Sequence, residues 1–245
     1  MKQVLIAGVS GAIGSAVASQ LLATDPERTV LGLCRNPDAL RERIPDSRLR
    51  LAHWDAQTSS VEELGTSLAE MLGRDGELDT VIYTAGLLHD SEVFPEKRIE
   101  ELEVEAMARS FAVNCTGFGT VMRAAIPYLR HRRFKRIAAI SAKVGSIEDN
   151  RFGGWYAYRC SKAALNMLVR NLSVELPRRC RPVSCVAVHP GTTESGLSEP
   201  FQQSLASLQV HKPGETAANL LRVIGSLEEG SNGRFYSWDG SELPW

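Results

Sequence analysis

Residues 4–14 read VLIAGVSGAIG, and this stretch decides the fold. Its first four residues are apolar and predict a buried β-strand, and its three glycines predict a tight turn that opens a helix. Glycines in such a turn let backbone N–H groups approach a phosphate at a helix N-terminus. A tight turn without a ligand would look similar, but the position directly after a first strand favours a dinucleotide site. The predicted contacts of this turn to the dinucleotide come from Gly8, Ser10, Gly11, Ala12, Ile13 and Gly14.

The same alternation of strand and helix continues along the chain. Short apolar runs predict strands at 4–7, 29–34, 50–53, 80–84, 137–141 and 183–189, and longer segments predict helices at 16–23, 60–72, 106–129 and 157–176. Several strands are apolar on both faces, as strands covered by helices on both sides should be. The pattern therefore predicts an α/β protein. We expect a single-domain Rossmann fold over residues 1–245, with a doubly wound parallel sheet of about seven strands and helices on both faces.

Composition narrows the possible function classes. The chain has 245 residues, 43% of them hydrophobic and 23% charged, and a formal net charge of −1. The low net charge gives no reason to expect a nucleic-acid partner, and no apolar run is long enough to span a bilayer. The five cysteines form no CxxC pair and the five histidines form no HExxH motif, so we expect buried free thiols and no metal site. Free thiols indicate a reducing compartment, and we expect a cytoplasmic protein.

Two residues beyond the glycine turn bear on the choice of cofactor. Arg35 follows the predicted second strand, at the position where an acidic residue would bind the ribose 2′-hydroxyl of NAD. A guanidinium suits a phosphate instead, so we favour NADP(H) over NAD(H), with a surface arginine as the alternative interpretation. Asp55 follows the predicted third strand and is placed to meet the adenine, unless it caps the helix that begins near Ser59 and Ser60.

Motifs in all parts of the chain follow one another in an order and spacing that resembles the short-chain dehydrogenase/reductase family. They are AGVSGAIG (7–14), YTAG (83–86), FAVNCTG (111–117), YRCSK (158–162) and HPG (189–191). Within that family, AYRCSKAALNML (157–168) and GRFYSWDGSELPW (233–245) are most similar to the C-factor-like branch. The resemblance implies a small carbonyl or alcohol substrate. It also implies a homodimer or homotetramer, paired through the helices at 106–130 and 157–176.

The resemblance assigns roles to particular residues. Tyr158 is expected to exchange a proton with the substrate, while Lys162 lowers the pKa of Tyr158 and binds the nicotinamide ribose. Residues four apart share a helix face and residues six apart do not, which favours Tyr158 over Tyr156 as the partner of Lys162. Asn114 is expected to hold a water molecule that links Lys162 to solvent. Further contacts to the cofactor are expected from Ala85, Gly86, Pro190, Gly191, Thr192 and Thr193.

The family pattern breaks at the end of the predicted fifth strand. A serine pair is expected there, and its second member would help to polarise the substrate carbonyl, but this chain has Ser141 followed by Ala142. Three interpretations remain open: a bulge turns Ser141 into the site, Ser146 reaches in instead, or no serine serves and the site works weakly. Ala142 and Thr84, which stands where the family has asparagine, also motivate an alternative function. The chain would then be a dinucleotide-binding signalling or regulatory protein with little turnover.

Residues 194–212 follow the HPG motif. By the resemblance we expect them to form a lid over the substrate. An apolar wall of this lid would consist of Leu197, Pro200, Phe201, Leu205 and Leu208. A packed pair of helices is the alternative interpretation of this segment.

Overall fold

The computed structural model describes residues 2–73, 75–196 and 210–245. The strands in these ranges are β1 (Gln3–Ala7), β2 (Thr29–Cys34), β3 (Leu49–His53), β4 (Thr80–Tyr83), β5 (Lys135–Ile140), β6 (Val183–His189), β7 (Thr192–Thr193), β8 (Val210–His211) and β9 (Phe235–Ser237). The helices are α1 (Ala12–Thr24), α2 (Pro37–Arg43), α3 (Val61–Leu72), α4 (Val104–Phe111), α5 (Gly117–Ala125), α6 (Tyr156–Arg179) and α7 (Pro213–Gly225). Seven strands form one parallel sheet in the order β3-β2-β1-β4-β5-β6-β9, and β7 pairs separately with β8. The predicted fold class is confirmed.

The sheet separates two hydrophobic cores, because both of its faces are apolar. On one side α3, α5 and α6 cover the sheet, with Phe118 and Leu165 fully buried among them. On the other side α1 and α7 contribute Leu21 and Leu220. The carboxyl ends of all the central strands meet at one edge, and the glycine-rich turn, the loop after β4 and the start of α6 therefore converge there.

The structure confirms the six predicted strands and corrects the helices. The predicted helix over 106–129 is wrong as a single helix. It consists of α4, a π-helical turn (Ala112–Thr116), α5 and a 3-10 turn (Ile126–Leu129) that contains Pro127. The sequence pattern also missed α2, α7 and β9, of which α2 and β9 are short. Proline at the first position of α7 was a signal that could have found that helix.

The structure also bears on membrane spans, metal ligands and thiols. In the ranges given above, no helix combines the length and apolar character needed to cross a bilayer. The same ranges bring no three metal-ligating side chains together. All five cysteines are free, but Cys160 is exposed and Cys115 is half-buried, so the expectation of uniformly buried thiols is wrong for these two.

Candidate active site

A cleft of about 380 Å³ opens at the carboxyl edge of the sheet, where β1 lies between β2 and β4. This is the switch point of the sheet, where the strand order reverses. In doubly wound sheets ligands bind there, because the connections on its two sides lead in opposite directions and leave a crevice. The walls of the cleft bring together the predicted cofactor contacts Gly8, Ser10, Gly11, Ala12, Ile13, Gly14, Arg35, Asp55, Ala85 and Gly86.

The glycine turn is shaped by close backbone approaches. Gly8 has a φ of 84°, and a Cβ atom there would lie 2.6 Å from the amide nitrogen of Ala85. A Cβ atom on Gly14 would collide with the carbonyl oxygen of Gly8. The Thr84 hydroxyl lies 2.9 Å from the carbonyl oxygen of Ala7 and 3.1 Å from that of Gly8, and so bonds backbone across the sheet although it stands where the family has asparagine. Helix α1 begins after Gly11, which has no side chain to cap it, and its first-turn N–H groups therefore suit an anion.

Arg35 and Asp55 lie in the cleft walls after β2 and β3. Arg35 is exposed at the end of its strand, where it can meet a ligand phosphate. Asp55 does not cap α3, because Ser60 does so in a reciprocal pair with Glu63, and that alternative interpretation is wrong. The Asp55 carboxylate instead accepts a hydrogen bond from the backbone N–H of Gln57 (2.9 Å).

Several wall residues were not predicted from the sequence. They are Cys34, Trp54, Ala56, Gln57, Thr84, Leu87, Asp90, Arg109, Val113, Ser195 and Gly196. Arg109, on α4, forms ion pairs with Asp90 (2.5 Å) and Glu92 (2.6 Å) and so fastens the loop after β4 to α4. Nothing in the local sequence marks this contact, because it joins positions far apart in the chain.

Lys162 and Tyr158 lie together near the start of α6. Lys162 is 3% exposed, and its Nζ donates to the carbonyl oxygen of Ile140 (2.9 Å) and lies 5.8 Å from the centroid of the Tyr158 ring. Burial lowers the pKa of Lys162 to about 8, with Cys115 opposing part of the shift. Burial also raises the pKa of Tyr158 above its ordinary value. In the protein alone burial therefore sets the direction of the shift, and the lowering of the Tyr158 pKa by Lys162 together with a bound nicotinamide stays a prediction.

Asn114 is fully buried in the π-helical turn, a distortion that is frequent at functional sites. Its Oδ1 accepts from the N–H of Leu87 (2.8 Å), and its Nδ2 donates to the Leu87 carbonyl (2.8 Å) and to Ser161 Oγ (2.9 Å). Asn114 thus connects the loop that lines the cleft to α6, which carries Tyr158 and Lys162.

The serine hydroxyls near the end of β5 are bonded within the protein. The strand ladder continues through Ser141, whose N–H donates to the carbonyl of Val188 (2.9 Å). Ser141 Oγ donates to Asn166 Oδ1 (2.7 Å), on the side of the sheet covered by α6. Ser146 Oγ donates to the carbonyl oxygen of Trp245 (3.1 Å). Ala142 follows in an extended conformation and offers no donor.

Residues 190–193, which follow β6, are not among the cleft walls. Gly191 has a φ of 76°, and a Cβ atom on it would lie 3.0 Å from both His211 and Trp238. Pro190 is buried, and Thr192–Thr193 form β7. Ser195 and Gly196, which come next, do line the cleft. Most of the predicted lid, residues 197–209, lies outside the described residues, and Val210–His211 form β8.

A glycine-rich turn at the switch point of a Rossmann sheet, together with a half-buried tyrosine beside a buried lysine, is the arrangement of a dinucleotide-dependent oxidoreductase. The chain belongs to the short-chain dehydrogenase family, whose sequence profile, described as short chain dehydrogenase, matches residues 2–206.

Individual relatives agree with this assignment. The chain is 37% identical over 147 residues to C-signal of Myxococcus xanthus, covering 59% of this chain and 82% of that protein. It is 31% identical over 186 residues to 1-hydroxy-2-glutathionyl-2-methyl-3-butene dehydrogenase of Rhodococcus sp. (strain AD45), covering 76% and 75%. Its fold matches NADPH-bound carbonyl reductase from chicken fatty liver with a TM-score of 0.84 and 24% identity, covering 100% and 99% of the two chains. The resemblance seen in the sequence is confirmed.

Proposed function

We propose that the chain is an NADPH-dependent reductase of small carbonyl compounds, with Tyr158 as the proton donor. The observation that carries this proposal is the burial of Lys162 beside the Tyr158 ring, at the carboxyl edge of the sheet. Desolvating an ammonium group is unfavourable, so a buried lysine with a strongly lowered pKa near a cleft indicates a functional site.

The cleft residues fit a phosphorylated dinucleotide. The first turn of α1 would bind the pyrophosphate through its N–H groups, and Arg35 would bind a 2′-phosphate, which favours NADP(H) over NAD(H). Asp55 would meet the adenine. Ala85, Gly86 and the segment 190–193 would complete the contacts toward the nicotinamide, which supplies the hydride when bound.

Tyr158 carries its proton at neutral pH, as an ordinary tyrosine does, and burial raises its pKa further. It can therefore give a proton to a carbonyl oxygen, whereas abstraction of a proton from an alcohol would need the phenolate. Lys162 remains largely an ammonium below its pKa of about 8. One of its three N–H groups binds the Ile140 carbonyl, which leaves two for the ribose hydroxyls.

Asn114 acts in this proposal mainly through its position. Its side-chain amide is already bonded to Leu87 and Ser161, so a water relay from Lys162 would bind the carbonyl groups of the π-helical turn rather than the amide. Such a relay would return protons from solvent to Tyr158 between turnovers.

Ala142 limits the range of substrates. With Ser141 and Ser146 bonded elsewhere, we infer that neither of these two serines polarises the substrate carbonyl. Loss of one such donor costs about 2.7–4 kcal/mol of transition-state stabilisation. The preferred substrates should therefore be carbonyl compounds that are already electrophilic, such as 1,2-diketones.

The test compares Tyr158→Phe with Tyr156→Phe, using benzil as the probe and NADPH oxidation as the signal. Tyr158→Phe should lower kcat by roughly 10²–10⁴-fold, because the proton donor is lost, and should leave NADPH affinity nearly unchanged. Tyr156→Phe is the matched control and should keep kcat. Retained turnover in Tyr158→Phe, or equal losses in both variants, would contradict the mechanism.

A dinucleotide-binding signalling or regulatory protein is the second candidate function. Ala142 favours this function, since it removes the serine hydroxyl that would polarise a carbonyl and leaves the cofactor cleft intact. The name of the relative C-signal also refers to signalling. Tight NADPH binding without reduction of benzil or phenanthrenequinone would support this function over the first.

We also propose a homodimer or homotetramer paired through α4–α5 and α6, in a cytoplasmic setting. Val104 on α4 and Met167 and Val174 on α6 are exposed apolar residues that a second copy would cover. Sedimentation should show a dimer or tetramer, and a monomer at micromolar concentration would contradict it. The free cysteines support a cytoplasmic location, because thiols persist in a reducing compartment. Imaging of a fluorescent fusion protein would test this location.

A further inference from the structure

The helix that carries Tyr158 begins without a capping side chain at its first position. Residues 153–158 read GGWYAY, and the N-cap residue of α6 is Trp155, which has a left-handed φ of 52° and makes no side-chain capping bond. Serine, threonine, aspartate or asparagine normally accept from the first N–H groups of a helix. The first turn of α6 therefore depends on an acceptor from elsewhere in the chain.

Glu96 supplies that acceptor from the loop between β4 and α4. Its side chain is 4% exposed, and its two carboxylate oxygens lie 3.4 and 3.3 Å from the backbone nitrogen of Ala157, 61 positions along the chain. The Glu96 carbonyl also accepts from the N–H of Trp155 (2.5 Å). A carboxylate suits this place because the N-terminus of a helix carries partial positive charge.

Tyr158 follows directly on the capped residue and lies in the first turn of α6. Its ring also contacts Trp155 edge to face, with centroids 6.3 Å apart. First turns fray when their N–H groups lack acceptors, so loss of the Glu96 contacts would move the phenol relative to Lys162. We propose that Glu96 is a positioning residue that fixes Tyr158 for proton transfer, an inference that rests on the proposed role of Tyr158 as the acid.

The same loop also borders the cofactor cleft. Leu87 and Asp90 line the cleft, Leu87 is held by Asn114, and Asp90 is held by Arg109. Glu96 thus connects a segment anchored at the cofactor site to the helix that carries the proton donor.

The test follows the phenol itself, so that its outcome does not depend on turnover. The protein is labelled with 3-fluorotyrosine, and the ¹⁹F resonance of Tyr158 is assigned through Tyr158→Phe. Glu96→Met keeps the length of the side chain but removes the hydrogen-bond acceptor, whereas Glu96→Gln keeps an acceptor oxygen. The matched control is Glu100→Met, which makes the same substitution at an exposed position of the same loop. Glu96→Met should shift or broaden the Tyr158 resonance, whereas Glu96→Gln and Glu100→Met should leave it in place. An unchanged resonance in Glu96→Met overturns the inference.

Kinetics with benzil then show whether position matters for the reaction. Glu96→Met should lower kcat about tenfold or more with KM and NADPH affinity unchanged, and Glu96→Gln should restore it to within about twofold. If Glu96→Met does not fold, Glu96→Asp serves in its place, because the shorter side chain withdraws the acceptor. If Tyr158→Phe retains turnover, the proposed function fails, while the ¹⁹F result still decides whether Glu96 positions the phenol.

Discussion

Replacing Ala142 by serine adds a hydroxyl group at the end of β5, where the family pattern has its second serine. Ala142 is extended (φ −146°, ψ 146°) and 9% exposed, so a serine fits without a change in backbone. Side chains alternate along a strand, and the new hydroxyl would point away from Asn166, which already binds Ser141. It would be available to a substrate oxygen at the carboxyl edge.

The expected gain in kcat follows from the free energy that one hydrogen-bond donor contributes to the transition state. A neutral hydrogen bond contributes up to about 1.5 kcal/mol, close to tenfold in rate. A fully oriented donor to a developing oxyanion contributes about 2.7–4 kcal/mol, or roughly 10²–10³-fold. We expect kcat for benzil to rise by at least about tenfold and NADPH affinity to stay the same, because position 142 lies outside the cleft walls.

The assay is steady-state NADPH oxidation with benzil, in the wild type, Ala142→Ser and Ser141→Ala. Ser141→Ala leaves the buried Oδ1 of Asn166 without its partner and should lower stability by about 1–3 kcal/mol, while kcat of the folded protein stays within about threefold. An unchanged kcat in Ala142→Ser, together with loss of turnover in Ser141→Ala, would refute the reasoning. Ser141 would then be the donor despite its bond to Asn166.

Three further predictions concern the cofactor and the stability of the site. Arg35→Ala should weaken NADPH binding about tenfold and leave NADH binding unchanged, as measured by calorimetry, and equal effects on both would remove the 2′-phosphate argument. Because the folded pKa of Lys162 lies near 8 and its ordinary value is 10.5, the free-energy cost of its burial is fully present below pH 8 and disappears above pH 10.5. Lys162→Met should therefore raise the free energy of unfolding in urea at pH 7 by up to about 3 kcal/mol while abolishing turnover, and a loss of stability would contradict this. Gly14→Ala should lower the free energy of unfolding by about 1–3 kcal/mol and weaken NADPH binding, because the new methyl group would collide with the Gly8 carbonyl. The control is Gly65→Ala on α3, whose methyl group would meet no neighbouring atom and should be tolerated.

The walls of the cleft proposed to bind the cofactor could be predicted because their residues are local in sequence. The glycine turn, Arg35 and Asp55 each follow a strand directly, so knowing that the strands are parallel places all of them at one edge. Asp55 needed the structure only to exclude its capping role, which Ser60 performs.

The arrangement around the proposed proton donor depends on contacts that no local pattern encodes. The direction of the Ser141 hydroxyl is set by Asn166, 25 positions further on, and the cap of α6 comes from Glu96. Even the pKa of Tyr158 is decided by surrounding burial rather than by its neighbour on the helix. Spacing identified the pair Tyr158 and Lys162, but spacing does not report what encloses them.

The π-helical turn at Ala112–Thr116 sets the rotational phase between α4 and α5. Each residue of an α-helix turns the chain by about 100°, so deleting one residue from this turn would rotate the two helices against each other by that angle. Either α5 would turn Phe118 and Met122 away from the sheet, or α4 would carry Arg109 away from Asp90. A change of length here should therefore be far more damaging than any single substitution, and engineered libraries should hold residues 112–116 at constant length.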